Sequence, residues 1–143
     1  MAELIDFGTF TVNFLRDKHN TQGGLDMFEL TTQPKGKMPI PHYHDAWDET
    51  VYGVEGVTTY VIDGVDHHIG PGESAFVPRK IVHGFDNRTD DVAKCLCILT
   101  PGVLGPEYFR ELAAEISTGK PDPAVMKDIM ARYGLIPAPP PSA

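Results

Sequence analysis

The chain has 143 residues, 20 acidic against 12 basic side chains, a formal net charge of -8 and two cysteines. A length of this order makes one domain that buries about two thirds of its unfolded surface without disulfides, and the scattered basic residues offer no positive stripe for a phosphate backbone, which excludes nucleic acid as a partner. No apolar run approaches a membrane span and the acidic start MAELIDFG lacks a signal-peptide pattern, so no membrane partner and a cytoplasmic location are expected.

Up to Thr100 the pattern is one of short β segments separated by turn residues: GTFTVNFL, MFELTT, a strand around His42, ETVYGV, VTTYVID, DHHI, SAFVP, HGFDN and AKCLCILT. Asp63-Gly64 predicts a tight hairpin turn. His67 and His68 follow it on a short, solvent-facing strand and are expected at the surface, as is His19 in the polar stretch RDKHNTQGG. Cys95 and Cys97 stand two apart in an alternating aliphatic strand, so both thiols leave one face. A structural zinc site would want a second cysteine pair, and buried, reduced thiols are expected.

After Pro101 the apolar spacing changes to three and four. EYFRELAAEIS and PAVMKDIMARYG predict two amphipathic helices, the second opening at Asp122 with Pro123 in its first turn. The ending IPAPPPSA cannot be helical and is expected to trail over the surface. Residues 1–100 are thus assigned to a β-barrel, and 101–143 to a helical extension and proline-rich tail of the same domain. The helices suit either a structural cover or a dimer contact.

His42 and His44 are two apart, so on a strand they leave the same face and can grip one ion together. An isolated pair of this kind is more often two surface histidines, and it needs company to be a metal site. Glu49, after a short turn, is a candidate third ligand, and His83 in a second segment is a fourth. Mixed imidazole and carboxylate ligation accepts one divalent transition metal among manganese, iron, nickel, cobalt, copper and zinc, without choosing between them.

These segments resemble the two motifs of the cupin superfamily. Gly36, His42, His44, Glu49 and Gly56 fill the fixed positions of G-x5-H-x-H-x3,4-E-x6-G, and Gly72, Pro78, His83 and Asn87 match G-x5-P-x-G-x2-H-x3-N, with Lys80 where a glycine is usual. The resemblance covers Gly36 to Asn87 and implies an all-β, double-stranded β-helix (jelly-roll) barrel from about Leu25 to Thr100, carrying the two C-terminal helices. It also implies that Glu49 both ligates the metal and accepts a substrate proton.

Strand parity places Met38 and Ile40 beside His42 and His44, and Phe85 beside His83; Phe76 is a further candidate for the pocket wall, whereas Tyr43 should face outward. Trp47, between His44 and Glu49, either shields the mouth or anchors the loop. The resemblance to small quercetin-dioxygenase-like cupins implies a metal-dependent dioxygenase acting on a small enol or phenol. An oxygen-independent isomerase, cyclase or decarboxylase of a carbonyl compound uses the same site, and a non-enzymatic binding barrel is the third reading. A homodimer is expected, joined through exposed edge strands or by exchange of the N-terminal strand GTFTVNFL.

Overall fold

Alternating side chains, inside and outside by turns, build the molecule from two antiparallel sheets. The protein is described by a computed structural model covering residues 2–37 and 40–138. Its strands are β1 (Glu3–Asp6), β2 (Phe10–Arg16), β3 (Asp26–Thr32), β4 (His42–His44), β5 (Asp48–Glu55), β6 (Thr58–Ile62), β7 (Val65–Ile69), β8 (Ser74–Val77), β9 (His83–Asp86), β10 (Ala93–Thr100) and β11 (Leu135–Pro137). Helices α1 (Pro106–Ile116) and α2 (Pro123–Arg132) lie between the last two strands. One sheet has the order β1-β2-β3-β10-β5-β8 and the other β11-β4-β9-β6-β7, a jelly-roll arrangement with the apolar core between them.

The inner face of the six-stranded sheet is set by period two. Val12, Leu30, Val51, Val77, Cys95, Cys97 and Leu99 are all buried, and they alternate with outward-facing neighbours on the same strands. The two thiols share the inner face as expected, with Sγ atoms 4.0 Å apart and both cysteines free. Asp63 and Gly64, both at positive φ (53° and 75°), turn β6 back onto β7 as a hairpin. His67 and His68 on β7 are exposed.

Both helices stand where the three- and four-residue spacing puts them. Asp122 caps α2 by accepting from the Ala124 N–H at 2.9 Å, with Pro123 in the first turn. Tyr108 and Leu112 are buried on α1, and Met126, Ile129 and Met130 on α2. Phe109 of α1 meets Phe28, Phe14 and Phe7 with ring centroids 5.3, 5.5 and 6.1 Å away, which seats the helix over one end of the core.

One element has no counterpart among the expected strands, and one differs from expectation. ELID forms β1 on the edge of the six-stranded sheet, where a short charged segment had no periodic signature. Residues Leu135 to Pro137 do not trail: β11 pairs with β4, Leu135 opposite His44 and Pro137 opposite His42. An edge strand tolerates proline because one row of its N–H positions has no partner to serve. The residues after Ala138 lie outside those described. β2 is paired on both sides within its own chain, to β1 and β3.

Candidate metal centre

Strand β4 is three residues long, and its burial alternates so that His42 and His44 point inward with Tyr43 between them half-buried. His83 opens β9 directly opposite His42 in the ladder. Glu49 comes from the other sheet, near the start of β5, opposite Leu99 on one side and Val77 on the other. The four residues expected to form the site thus converge from both sheets onto one point. The ring centroid of His83 is 4.8 Å from that of His42 and 4.9 Å from that of His44.

The backbone fixes how each imidazole presents itself. Nδ1 of His42 lies 3.1 Å from the Ile40 carbonyl oxygen, Nδ1 of His44 2.9 Å from that of Trp47, and Nδ1 of His83 2.9 Å from that of Ile81. A carbonyl can only accept, so each Nδ1 carries a hydrogen and each ring turns Nε2 toward the others. One nitrogen from each of the three rings lies within 4.8 Å of the others, a cluster that can hold a metal ion. Glu49 Oε1 is 3.7 Å from His44 Nε2 and 3.8 Å from His83 Nε2, too far for a hydrogen bond. Such spacing suits donors that share an ion through bonds of about 2.1 Å.

The fit to a metal rests on an orphan. His44 Nε2 is buried and has no hydrogen-bond partner. A lone pair held dry in this way is costly unless something electrophilic meets it. Three imidazole nitrogens with a carboxylate nearby match the donor set of divalent transition metals.

Charge follows the same arrangement. Burial, reinforced by neighbouring His83, pushes His42 down to about 3, so that the ring is neutral near pH 7. His83 is lowered as well, chiefly by burial. Burial alone would raise the Glu49 carboxyl; the side chain of His44 and the fields of His83 and His42 outweigh it and hold the group at about 2. Glu49 is therefore an anion in its metal-free surroundings.

The cluster forms the floor of an apolar cavity of about 70 Å³. Its walls come from both sheets and from α1, including Phe10, Phe28, Phe85, Leu99, Tyr108 and Phe109. Phe85 lines it, as its parity with His83 predicts. Phe76 does not: it is 54% exposed, because on β8 the inward positions belong to Ala75 and Val77. The aromatic character of Phe76 was a poorer guide than strand parity. Ile40 packs on the core outside the cavity lining, since β4 begins only at His42 and the parity does not carry back through Pro41. Met38 lies outside the described residues.

Trp47 anchors rather than shields. It is buried, its ring is stacked on His44 with centroids 4.4 Å apart, and its carbonyl orients that histidine. Its Nε1 is buried without a partner, at a cost of about 1–3 kcal/mol. Tyr60 and the α1 residues were invisible to motif spacing. Tyr60 lines the cavity from β6 and its hydroxyl meets Cys97 Sγ at 3.5 Å.

The motif residues around the site are structural. Gly56 has φ +61°, and a Cβ there would lie 2.4 Å from the Val92 carbonyl oxygen. Asn87 Nδ2 donates to the carbonyls of Asp91 (2.7 Å) and Thr32 (3.1 Å), tying the end of β9 to β3. Lys80 takes the left-handed conformation of the usual glycine, φ +69°, and its N–H donates to the His44 carbonyl at 2.7 Å.

The cupin-domain profile matches residues 28–99, half of the chain. The chain belongs to the cupin family. Among its relatives are quercetin 2,3-dioxygenase of Bacillus subtilis (strain 168), 38% identical over 80 residues, and an uncharacterized protein of Aquifex aeolicus (strain VF5), 30% identical over 71 residues. The first match covers 55% of this cupin and 23% of the dioxygenase, the second 50% and 58%. Similar solved structures include a sugar phosphate isomerase of the cupin superfamily from Silicibacter pomeroyi (TM-score 0.57, 28% identity, 66% of this chain and 60% of that one). A predicted oxalate decarboxylase from Thermotoga maritima shares the fold (TM-score 0.63, 18% identity, 71% and 92%). Among the described residues no helix is long and apolar enough to cross a membrane.

Proposed function

We propose that this cupin is a metal-dependent oxygenase of small enolic or phenolic compounds, with the ion held by His42, His44, His83 and Glu49. The observation that carries the reading is a small apolar cavity whose floor presents three imidazoles of fixed tautomer and one carboxylate. The similarity to quercetin 2,3-dioxygenase over 80 residues supports the oxygenase class. A cavity of about 70 Å³ points to substrates far more compact than a flavonol.

When bound, the metal would supply Lewis-acid polarisation of a substrate oxygen and coordination positions beyond the four protein donors. The protein's own part is to hold and to exclude. Phe10, Phe28 and Phe109 keep water from the substrate, and Tyr108 and Leu112 close the cavity from α1. Glu49 is ionised at neutral pH and can take the substrate's hydroxyl proton. Held at about 2, it is a weak base until the proton it accepts has itself been made acidic by a cation.

Oxygen uptake by the metal-loaded protein with a panel of small 1,3-diketones, enols and catechols tests this reading, with uptake stoichiometric to product expected. Turnover at an unchanged rate without oxygen would sink it and favour an oxygen-independent isomerase, cyclase or decarboxylase. That second reading draws on the isomerase neighbour at 28% identity. Among the described residues no lysine or arginine lines the cavity to meet a phosphate, which argues against a sugar phosphate here. Protein free of stoichiometric metal after purification without an affinity tag would favour a non-enzymatic binding barrel.

A further inference from the structure

The outer faces of the two sheets differ in what they offer a neighbour. On the five-stranded sheet Arg88 pairs with Asp66 and Asp86, charged groups that water solvates well. On the six-stranded sheet two adjacent rungs are apolar. Ile98 stands between Met27 and Thr50, with Phe76 beyond Thr50, and Leu96 stands next to Tyr52. Tyr52 is 47% exposed and Phe76 54%, while Met27, Leu96 and Ile98 are half-buried by their neighbours on the sheet. Charge is sparse over these four strands: Lys94 lies one rung from Leu96, opposite Glu55 and diagonal to Glu29, and Asp48 is paired with Arg79 at 3.4 Å. Two carboxylates against one lysine leave a nearly neutral patch on a chain whose formal charge is -8. Aromatic and aliphatic side chains with methionine, depleted of charge, are what the centre of a protein–protein contact is made of.

We propose that this face, centred on Leu96, Ile98 and Tyr52 with Phe76 at its rim, is where a second copy of the chain packs, sheet against sheet, in a symmetric dimer. Two copies that each carry -8 repel wherever charge meets charge, so their contact belongs on a face that is nearly neutral. A lipid surface would want a basic rim, and here one lysine stands among carboxylates. The area suffices. With strands about 4.8 Å apart and about 3.3 Å per residue, the six strands present a face of about 600 Å², the low end of what each partner gives a stable interface. The sheet edges are poorer joints: β1 and β8 have four residues each, Glu3 of β1 is engaged by Arg110, and β8 runs into Pro78. Face packing leaves the cavity mouth and both helices free, and it depends on neither the metal nor the reaction.

Sedimentation velocity of the untagged protein tests this, with a dimer expected at about 100 µM and dissociation on dilution. Leu96→Lys sets two like charges against each other at the centre of the contact and should weaken dimerisation by more than about 100-fold. Lys94→Glu makes the face acidic and should weaken it about tenfold at low salt, with recovery at about 0.5 M salt, where exposed charges are screened. Val125→Lys, on the exposed side of α2, and Val65→Lys, on the edge strand of the other sheet, should leave it within about twofold. A wild-type monomer at about 100 µM overturns the proposal. So does a dimer that survives both Leu96→Lys and Lys94→Glu, or one broken by Val125→Lys or Val65→Lys. Lys94→Glu alters only a surface charge and decides the matter if Leu96→Lys does not fold.

Discussion

The two sheets contribute unequally to the same cavity. The five-stranded sheet supplies the three imidazoles from short strands, β4 and β9, that pair with each other only at His42 and His83 among the described residues. The six-stranded sheet supplies one carboxylate, Glu49, from long strands with continuous ladders: β10 pairs residue after residue with β3 and β5. The three imidazoles sit where two strands meet at a single pair, although each strand is fully paired on its other flank, β4 with β11 and β9 with β6. Imidazoles can be placed on such strands because each ring is fixed by its own carbonyl rather than by the sheet.

This division can be broken experimentally. Leu30→Ala, in the wall of the six-stranded sheet, should cost about 2–5 kcal/mol in urea unfolding while the folded fraction still binds metal. Phe76→Ser, on the outer face of the same sheet, should stay within about 0.5 kcal/mol. His83→Ala should have the opposite signature, a metal affinity lowered by more than about 100-fold in a metal titration with near-normal stability of the metal-free protein. Equal loss of stability in Leu30→Ala and His83→Ala would erase the distinction between the sheets.

Acid should strike the histidine side first. In the metal-free protein His42 is lowered from 6.5 to about 3, so the unfolded chain takes up this proton before the folded one. Its contribution to stability is complete above about pH 6.5 and is lost as the pH falls toward 3. Glu49, lowered from 4.5 to about 2, adds a loss of the same sign at lower pH. Urea midpoints at pH 7, 5.5 and 4.5 should therefore decline, and His42→Phe should flatten the upper part of that decline. A small effect of opposite sign is expected at Lys80→Gly, which relieves a left-handed backbone and should stabilise the protein by up to about 1 kcal/mol in the same assay.

The histidine cluster was legible because its geometry is local: an x between two histidines fixes their common face, and glycine and asparagine at motif spacing mark backbone that only those residues serve well. Gly56 and Asn87 show both reasons. The helices were legible from Asp122 and Pro123 and from the spacing of Met126, Ile129 and Met130. The cavity wall was less so. Phe76 and Ile40 were misplaced because apolar character was extended past the point where parity holds, and Tyr108 and Phe109 reach the cavity only through tertiary packing of α1. β11 was hidden by its composition, since proline is silent about which edge it will join.

That last strand also bears on when the site can exist. β4 is held on one flank by β11, some ninety residues further along the chain, and on the other by a single pair with β9. Closing a loop of that length is entropically slow compared with forming the β6–β7 hairpin. During synthesis the six-stranded sheet can be complete through β10 while the strand bearing His42 and His44 still lacks one neighbour. The histidine cluster is thus the last part of the barrel to be locked, and until residue 137 has emerged β4 lacks one of its two neighbours.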